Sequence, residues 1–262
     1  MKQNIRTDRT NPERTDAAPT LLLVHGSWHC GELWAAVQRS LNAAGVRSLA
    51  PTLAGHDPKD ARRNVSHADY VASVLRVLDA QPEPVALVGH SFGGSVISRV
   101  AELRPERCRQ LVYYSAFVPR DGERVADSLP KELIDFLDNA AAATPDGSCE
   151  LPFELFWNAF ANTADEATAR ELHSRLVPEP HKPIFEALSL PGSTRLAIPS
   201  VYISCRDDRA MPPGAFHPGQ SSRLKAPKLI EIDGDHEVLL TAPNRLAEAL
   251  LEAIEVGNAP QH

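Results

Sequence analysis

The chain has 262 residues, with 34 acidic and 27 basic side chains and a formal net charge of −7. With 43% hydrophobic and 23% charged residues it can bury one large core, or a core carrying a sizeable insertion, which excludes a disordered chain. The acidic balance and the lack of a Lys/Arg block argue against nucleic acid or an anionic membrane as partner, and no apolar run approaches the ~20 residues of a membrane span.

Residues 1–19 are polar and charged, so a flexible N-terminal tail is expected, with order beginning at Thr20. This stretch has no apolar signal-peptide core. Cys30, Cys108, Cys149 and Cys205 are scattered without a C-x-x-C pair, which fits neither a zinc site nor a disulfide framework. A reducing cytoplasm is the expected compartment.

Beyond the tail, short apolar strands alternate with amphipathic helices. Residues 21–24 form a continuous apolar run ending at His25-Gly26. Helical spacing over 33–44 (Leu33, Val37, Leu41) stops at Gly45. A strand at 46–50, a loop at 51–60 and a helix at 67–80 follow. Strands are expected at 85–88, 111–114, 200–204 and 229–232, and helices at 93–103 and 244–255. Strands apolar on both faces and separated by helices imply a mostly parallel, doubly wound sheet of about six strands in an α/β fold.

Between Val118 and Pro199 this rhythm breaks. Helical pieces at 131–143, 153–161, 165–176 and 183–188 are punctuated by prolines, with no convincing core strand. The expected organisation is a core of 20–118 and 192–257, with 119–191 as a helical cap insertion over the C-terminal sheet edge.

The chemistry is signalled by Gly89-His90-Ser91-Phe92-Gly93, which follows one expected strand and precedes a helix. In that context G-x-S-x-G projects a serine hydroxyl from a tight turn, and close backbone approach leaves room only for glycine at Gly89 and Gly93. The helix that follows directs its first N–H groups toward developing negative charge. The base must lie at the carboxyl end of a parallel strand, and His236, in the loop after the last strand, is the candidate among ten histidines. The orienting carboxylate is expected just past the penultimate strand, where Asp207 and Asp208 adjoin. Asp208 is favoured as the apex of an Asp-x-x-x-Pro turn, with Asp207 left to cap or to pair with Arg206. The expected oxyanion donors are the Ser27 and Phe92 N–H groups. Trp28, His29 and Phe117, with a helical stripe of Phe153, Phe156, Trp157 and Phe160, are the candidate substrate-binding residues. Attachment of the insertion to the core explains that stripe equally well.

Five stretches carry a resemblance: 23–29 (LVHGSWH), 88–94 (VGHSFGG), 116–119 (AFVP), 201–208 (VYISCRDD) and 234–236 (GDH). Over roughly residues 20–255 the chain resembles the α/β-hydrolases of the plant methylesterase and hydroxynitrile lyase group and their bacterial esterase relatives. The resemblance implies Ser91 as nucleophile, Asp208 as acid, His236 as base, and the Ser27 and Phe92 N–H groups as oxyanion donors. Hydroxynitrile lyases of this group carry a threonine after the first-loop histidine and a lysine after the catalytic histidine. Here those positions hold Gly26 and Glu237.

The expected function is a serine hydrolase that cleaves a carboxylic ester or lactone of a small, largely apolar substrate through an acyl-enzyme. It requires neither a metal nor an organic cofactor. The alternatives are a non-hydrolytic lyase or cyclase using His236 as general base, and a binding protein on the same fold. A small-molecule ester is the expected partner, and the chain is compatible with a homodimer.

Overall fold

The computed structural model describes residues 18–192 and 197–256. Most of the expected tail, residues 1–17, lies outside them. In chain order the elements are β1 (Leu21–Val24), α1 (Ala35–Ala43), β2 (Ser48–Leu49), α2 (His67–Asp79), β3 (Val85–Ser91), α3 (Gly93–Leu103) and β4 (Cys108–Ala116). The segment after β4 holds α4 (Lys131–Ala143), β5 (Ser148–Cys149), α5 (Phe153–Leu155), α6 (Glu166–His173), β6 (Glu179–Pro180) and α7 (Lys182–Phe185). The chain then returns through β7 (Ser200–Cys205), β8 (Lys228–Ile232), α8 (Val238–Thr241) and α9 (Pro243–Val256).

Six strands form one sheet in the order β2-β1-β3-β4-β7-β8, and every pairing is parallel. Alternation along each strand sends its side chains to two apolar layers. Leu22, Val24 and Leu87 join one layer with α2 and α3. Leu21, Leu23, Ala86 and Val88 join the other with α1 and α9. This is why the strands read as continuous apolar runs: neither face meets water. The short β5 and β6 pair antiparallel with each other, outside this sheet.

The segment between β4 and β7 has no separate core. Its Leu137, Phe156, Phe160, Leu172 and Ile184 pack into the same apolar layer as α2 and α3. Because all six core strands run the same way, the loops after β1, β3, β7 and β8 emerge on one edge, where this segment meets them.

The turn from β3 into α3 leaves no room for side chains at its glycines. A Cβ on Gly89 would lie 2.7 Å from the Gly93 carbonyl oxygen, and one on Gly93 would lie 2.6 Å from that of Val24. These are backbone atoms of α3 and of β1, held by the helix and the sheet, and they cannot swing away. Gly89→Ala is expected to lower stability by about 1–3 kcal/mol or more, through forced overpacking. Urea denaturation of the purified variant measures the loss; an unchanged midpoint would show that the turn relaxes freely.

Candidate active site

Ser91 ends β3 with φ at 51°, in the left-handed region that a side chain rarely adopts. Such strain persists only where surrounding structure over-determines it, and here β3 and α3 hold the residue from both sides. Ser91 lines a cavity together with His236, Ser27, Trp28, His29, Phe92, Phe117 and Phe160. The remaining wall is Val125, Leu129, Leu133, Leu137, Ile184, Ala210 and Met211, and the empty volume is about 530 Å³, including its open mouth.

His236 follows β8 and is buried. Its Nδ1 stands 2.8 Å from Asp208 Oδ2. The other oxygen of Asp208 accepts the Met211 N–H at 2.7 Å, which fixes the carboxylate in the turn after β7. Burial pushes the Asp208 carboxyl up, but the His236 imidazole outweighs it and the net direction is down. Burial pushes His236 down, and the charge and hydrogen bond of Asp208 reverse this, so its net shift is upward. Each partner favours the charged form of the other, so the imidazolium is stabilised when it forms.

Asp207 turns outward. Its carboxylate accepts the Gly234 N–H at 3.2 Å, and its own N–H donates to the Gly234 carbonyl. Arg206 does not pair with it, but binds Glu231 and Asp233. Of the two roles expected of Asp207, to cap or to pair with Arg206, the structure shows the cap. Asp235 is buried but engaged elsewhere, accepting from Thr163, Thr241 and the Glu237 N–H.

The Ser27 and Phe92 N–H groups have no hydrogen-bond partner among the described residues, and both residues line the cavity. Two unpaired donors beside Ser91 are what an oxyanion site requires.

The aromatic expectations divide. Trp28, His29, Phe117 and Phe160 line the cavity; Phe153, Phe156 and Trp157 do not. Phe153 stacks on Trp157 with Arg170 over its ring, and Phe156 is buried against His173. A stripe at 3–4 spacing presumes α-helical winding. Residues 156–160 instead form a π-helical turn, closed by the Ala161 N–H on the Phe156 carbonyl, and Phe160 faces Trp28 and His236 while Phe153, Phe156 and Trp157 cluster around His173.

Several residues support the site through contacts that the sequence did not signal. His90 Nε2–H and the Tyr114 hydroxyl both donate to the His236 carbonyl, at 3.1 and 2.7 Å, so two central strands pin the backbone of His236. Burial pushes the His90 imidazole well below its ordinary value, which keeps it neutral. His25 is likewise neutral, accepting the Leu53 N–H at Nε2 and donating to the Gly26 carbonyl. His29 bridges the Ser27 carbonyl at 2.6 Å and the buried Glu237 carboxylate at 2.8 Å. Burial lowers its pKa, but the Glu237 charge together with the hydrogen bonds to Glu237 and Ser27 outweighs it, and the net direction is up. Among the described residues, no cluster of three or more His, Cys, Asp or Glu side chains is arranged to hold a metal ion. No described helix is long and apolar enough to cross a membrane.

The sequence profile of the alpha/beta hydrolase family matches residues 21–249. A carbendazim-hydrolyzing esterase of Nocardioides sp. (strain SG-4G) is 32% identical over 87% of this chain and 97% of its own. Salicylic acid-binding protein 2 of Nicotiana tabacum is 27% identical over 88% of this chain and 95% of its own. The solved structure of an extracellular α/β-hydrolase from a Paenibacillus species superposes with a TM-score of 0.85 at 36% identity, over 90% of this chain and 98% of the other. That protein is described as sharing structural and functional homology with the tobacco protein. The relatives named esterase and hydrolase support a hydrolase here.

Proposed function

The chain belongs to the α/β-hydrolase family, and from that premise we propose that it is a serine carboxylic-ester hydrolase for small, largely apolar esters or lactones. The observation that carries this reading is the convergence of Ser91 and the Asp208–His236 pair on one cavity. His236 takes the proton of the Ser91 hydroxyl as the oxygen attacks the ester carbonyl. Asp208 holds the imidazole by Nδ1 and stabilises the imidazolium that forms. The carbonyl oxygen, now negative, is bound by the Ser27 and Phe92 N–H groups. His236 then passes its proton to the leaving alkoxide, and an acyl-enzyme remains on Ser91. Water, deprotonated by His236, attacks the acyl carbon and releases the acid.

In this reading residues 119–191 act as a cap. They contribute Val125, Leu129, Leu133, Leu137, Phe160 and Ile184 to the cavity, a wall without charge that favours an apolar acyl or alcohol group. The four cysteines are free, as a cytoplasmic setting allows. The lyase alternative is disfavoured by the site itself. A side chain at Gly26 would place its Cβ 2.7 Å from Ser91 Cβ. At the position of the lyase lysine stands a carboxylate, Glu237, already bonded to His29.

The test is pre-steady-state turnover of p-nitrophenyl esters together with organophosphate labelling. A burst of p-nitrophenol and a label on Ser91 are expected. Absence of both from folded protein, across aryl, methyl and lactone substrates, overturns the proposal.

A further inference from the structure

Glu179 is fully buried, although it is carried by β6 in the cap and not by the core. Its Oε2 accepts the backbone N–H of Trp28 at 2.9 Å and faces His56 Nε2 at 2.8 Å. Its Oε1 accepts the Tyr70 hydroxyl at 2.9 Å. Trp28 lies 151 residues away along the chain.

The same stretch of cap grips Trp28 at two further points. The Val177 N–H donates to the Trp28 carbonyl at 2.8 Å, and the Trp28 indole N–H donates to the Cys149 carbonyl at 3.0 Å. Trp28 has φ at 61°, so its backbone sits in the left-handed region without being glycine. A bulky residue there costs free energy and holds the conformation only under external restraint. The His29 ring, bonded to the Ser27 carbonyl, restrains the turn locally, and the cap adds three hydrogen bonds to Trp28 itself. Immediately before Trp28 stands Ser27, whose unpaired N–H borders the cavity.

We propose that Glu179 is a positioning residue for the oxyanion site: its carboxylate, delivered by the cap, holds Trp28 in the strained turn that aims the Ser27 N–H at the reacting carbonyl. The segment that covers the cavity thus also completes the site it covers. This inference rests on the ester-hydrolase reading above.

Three variants of the full chain test it with p-nitrophenyl acetate and with a trifluoromethyl ketone, whose adduct with a serine carries an oxyanion. Glu179→Leu removes the acceptor, and kcat is expected to fall about 10–100-fold, somewhat less than outright loss of an oxyanion donor, with KM little changed. Affinity for the ketone should fall by a similar factor. Glu179→Gln keeps an oxygen for the Trp28 N–H and can donate to the Tyr70 hydroxyl, so it should retain most of the activity. Tyr70→Phe removes a different hydrogen bond of the same carboxylate; it should lower the melting temperature and leave kcat near wild type. If Glu179→Leu does not fold, Glu179→Asp, which withdraws the acceptor by one methylene, should show a smaller loss in kcat at unchanged KM. Wild-type kcat in folded Glu179→Leu or Glu179→Asp overturns the proposal, as does a loss in Tyr70→Phe equal to that in Glu179→Leu. Wild-type protein that neither turns over ester nor labels at Ser91 overturns the hydrolase reading itself; an active, labelled wild type with an indifferent Glu179 overturns only the positioning role.

Discussion

Ser91→Ala is expected to lower kcat for ester hydrolysis by about 10⁶-fold, the scale seen when a serine nucleophile is removed from a triad acting as a unit. The effect is large because nucleophile, base and acid act as a unit, so loss of one removes the covalent route. Ser91 owes its place to a turn with φ at 51°, closed by Gly89 and Gly93 on either side. Alanine fits the same backbone without its hydroxyl, so the fold should survive and the loss will report on chemistry. Residual activity of about 10³–10⁴ over water should persist from the oxyanion donors and binding alone. Burst kinetics and single-turnover assays read the change directly. Retained turnover in Ser91→Ala, with loss in His236→Ala, would instead identify a reaction in which the histidine acts on substrate without a covalent step.

Asp208→Asn is expected to cost about 10⁴-fold in kcat, because an amide can favour the wrong tautomer of its imidazole partner. It should also move the pH profile. His236 works as a base only when neutral, so kcat/KM rises with pH through its pKa. Against burial, the Asp208 carboxylate lifts that pKa above the ordinary 6.5 of an imidazole. The acid limb of the wild type should therefore lie above pH 6.5, and removing the charge should shift it to lower pH. Glu237 and Asp235 also raise this pKa, so part of the elevation should survive. Asp207→Asn is the matched comparison: its carboxylate caps the Gly234 N–H, and neither rate nor pH limb should move appreciably. Equal effects at the two aspartates would refute the division of roles.

Legibility in the sequence follows the range over which each feature is determined. The strands, helices and the β3–α3 turn were readable because their causes are local. Apolar runs bounded by glycine and proline, and glycines spaced around a serine, act within a few residues. The parallel sheet followed from the same pattern, since strands that alternate with helices and bury both faces have few other solutions. The cap was less readable. Its aromatic stripe presumed a uniform helix, and a single π-helical turn at Phe156–Phe160 left only Phe160 at the cavity.

From its order of residues alone, this chain determined its fold class and which short segments carry reactive groups, because local backbone preference and hydrophobic periodicity act along the chain. Tertiary structure alone decided that His90 and Tyr114 hold the His236 carbonyl, and that Glu179 reaches the Trp28 amide. The physical reason is one of reach. A hydrogen bond acts over about 3 Å, and segments distant in the polymer come that close only when burial of a shared apolar core brings them together.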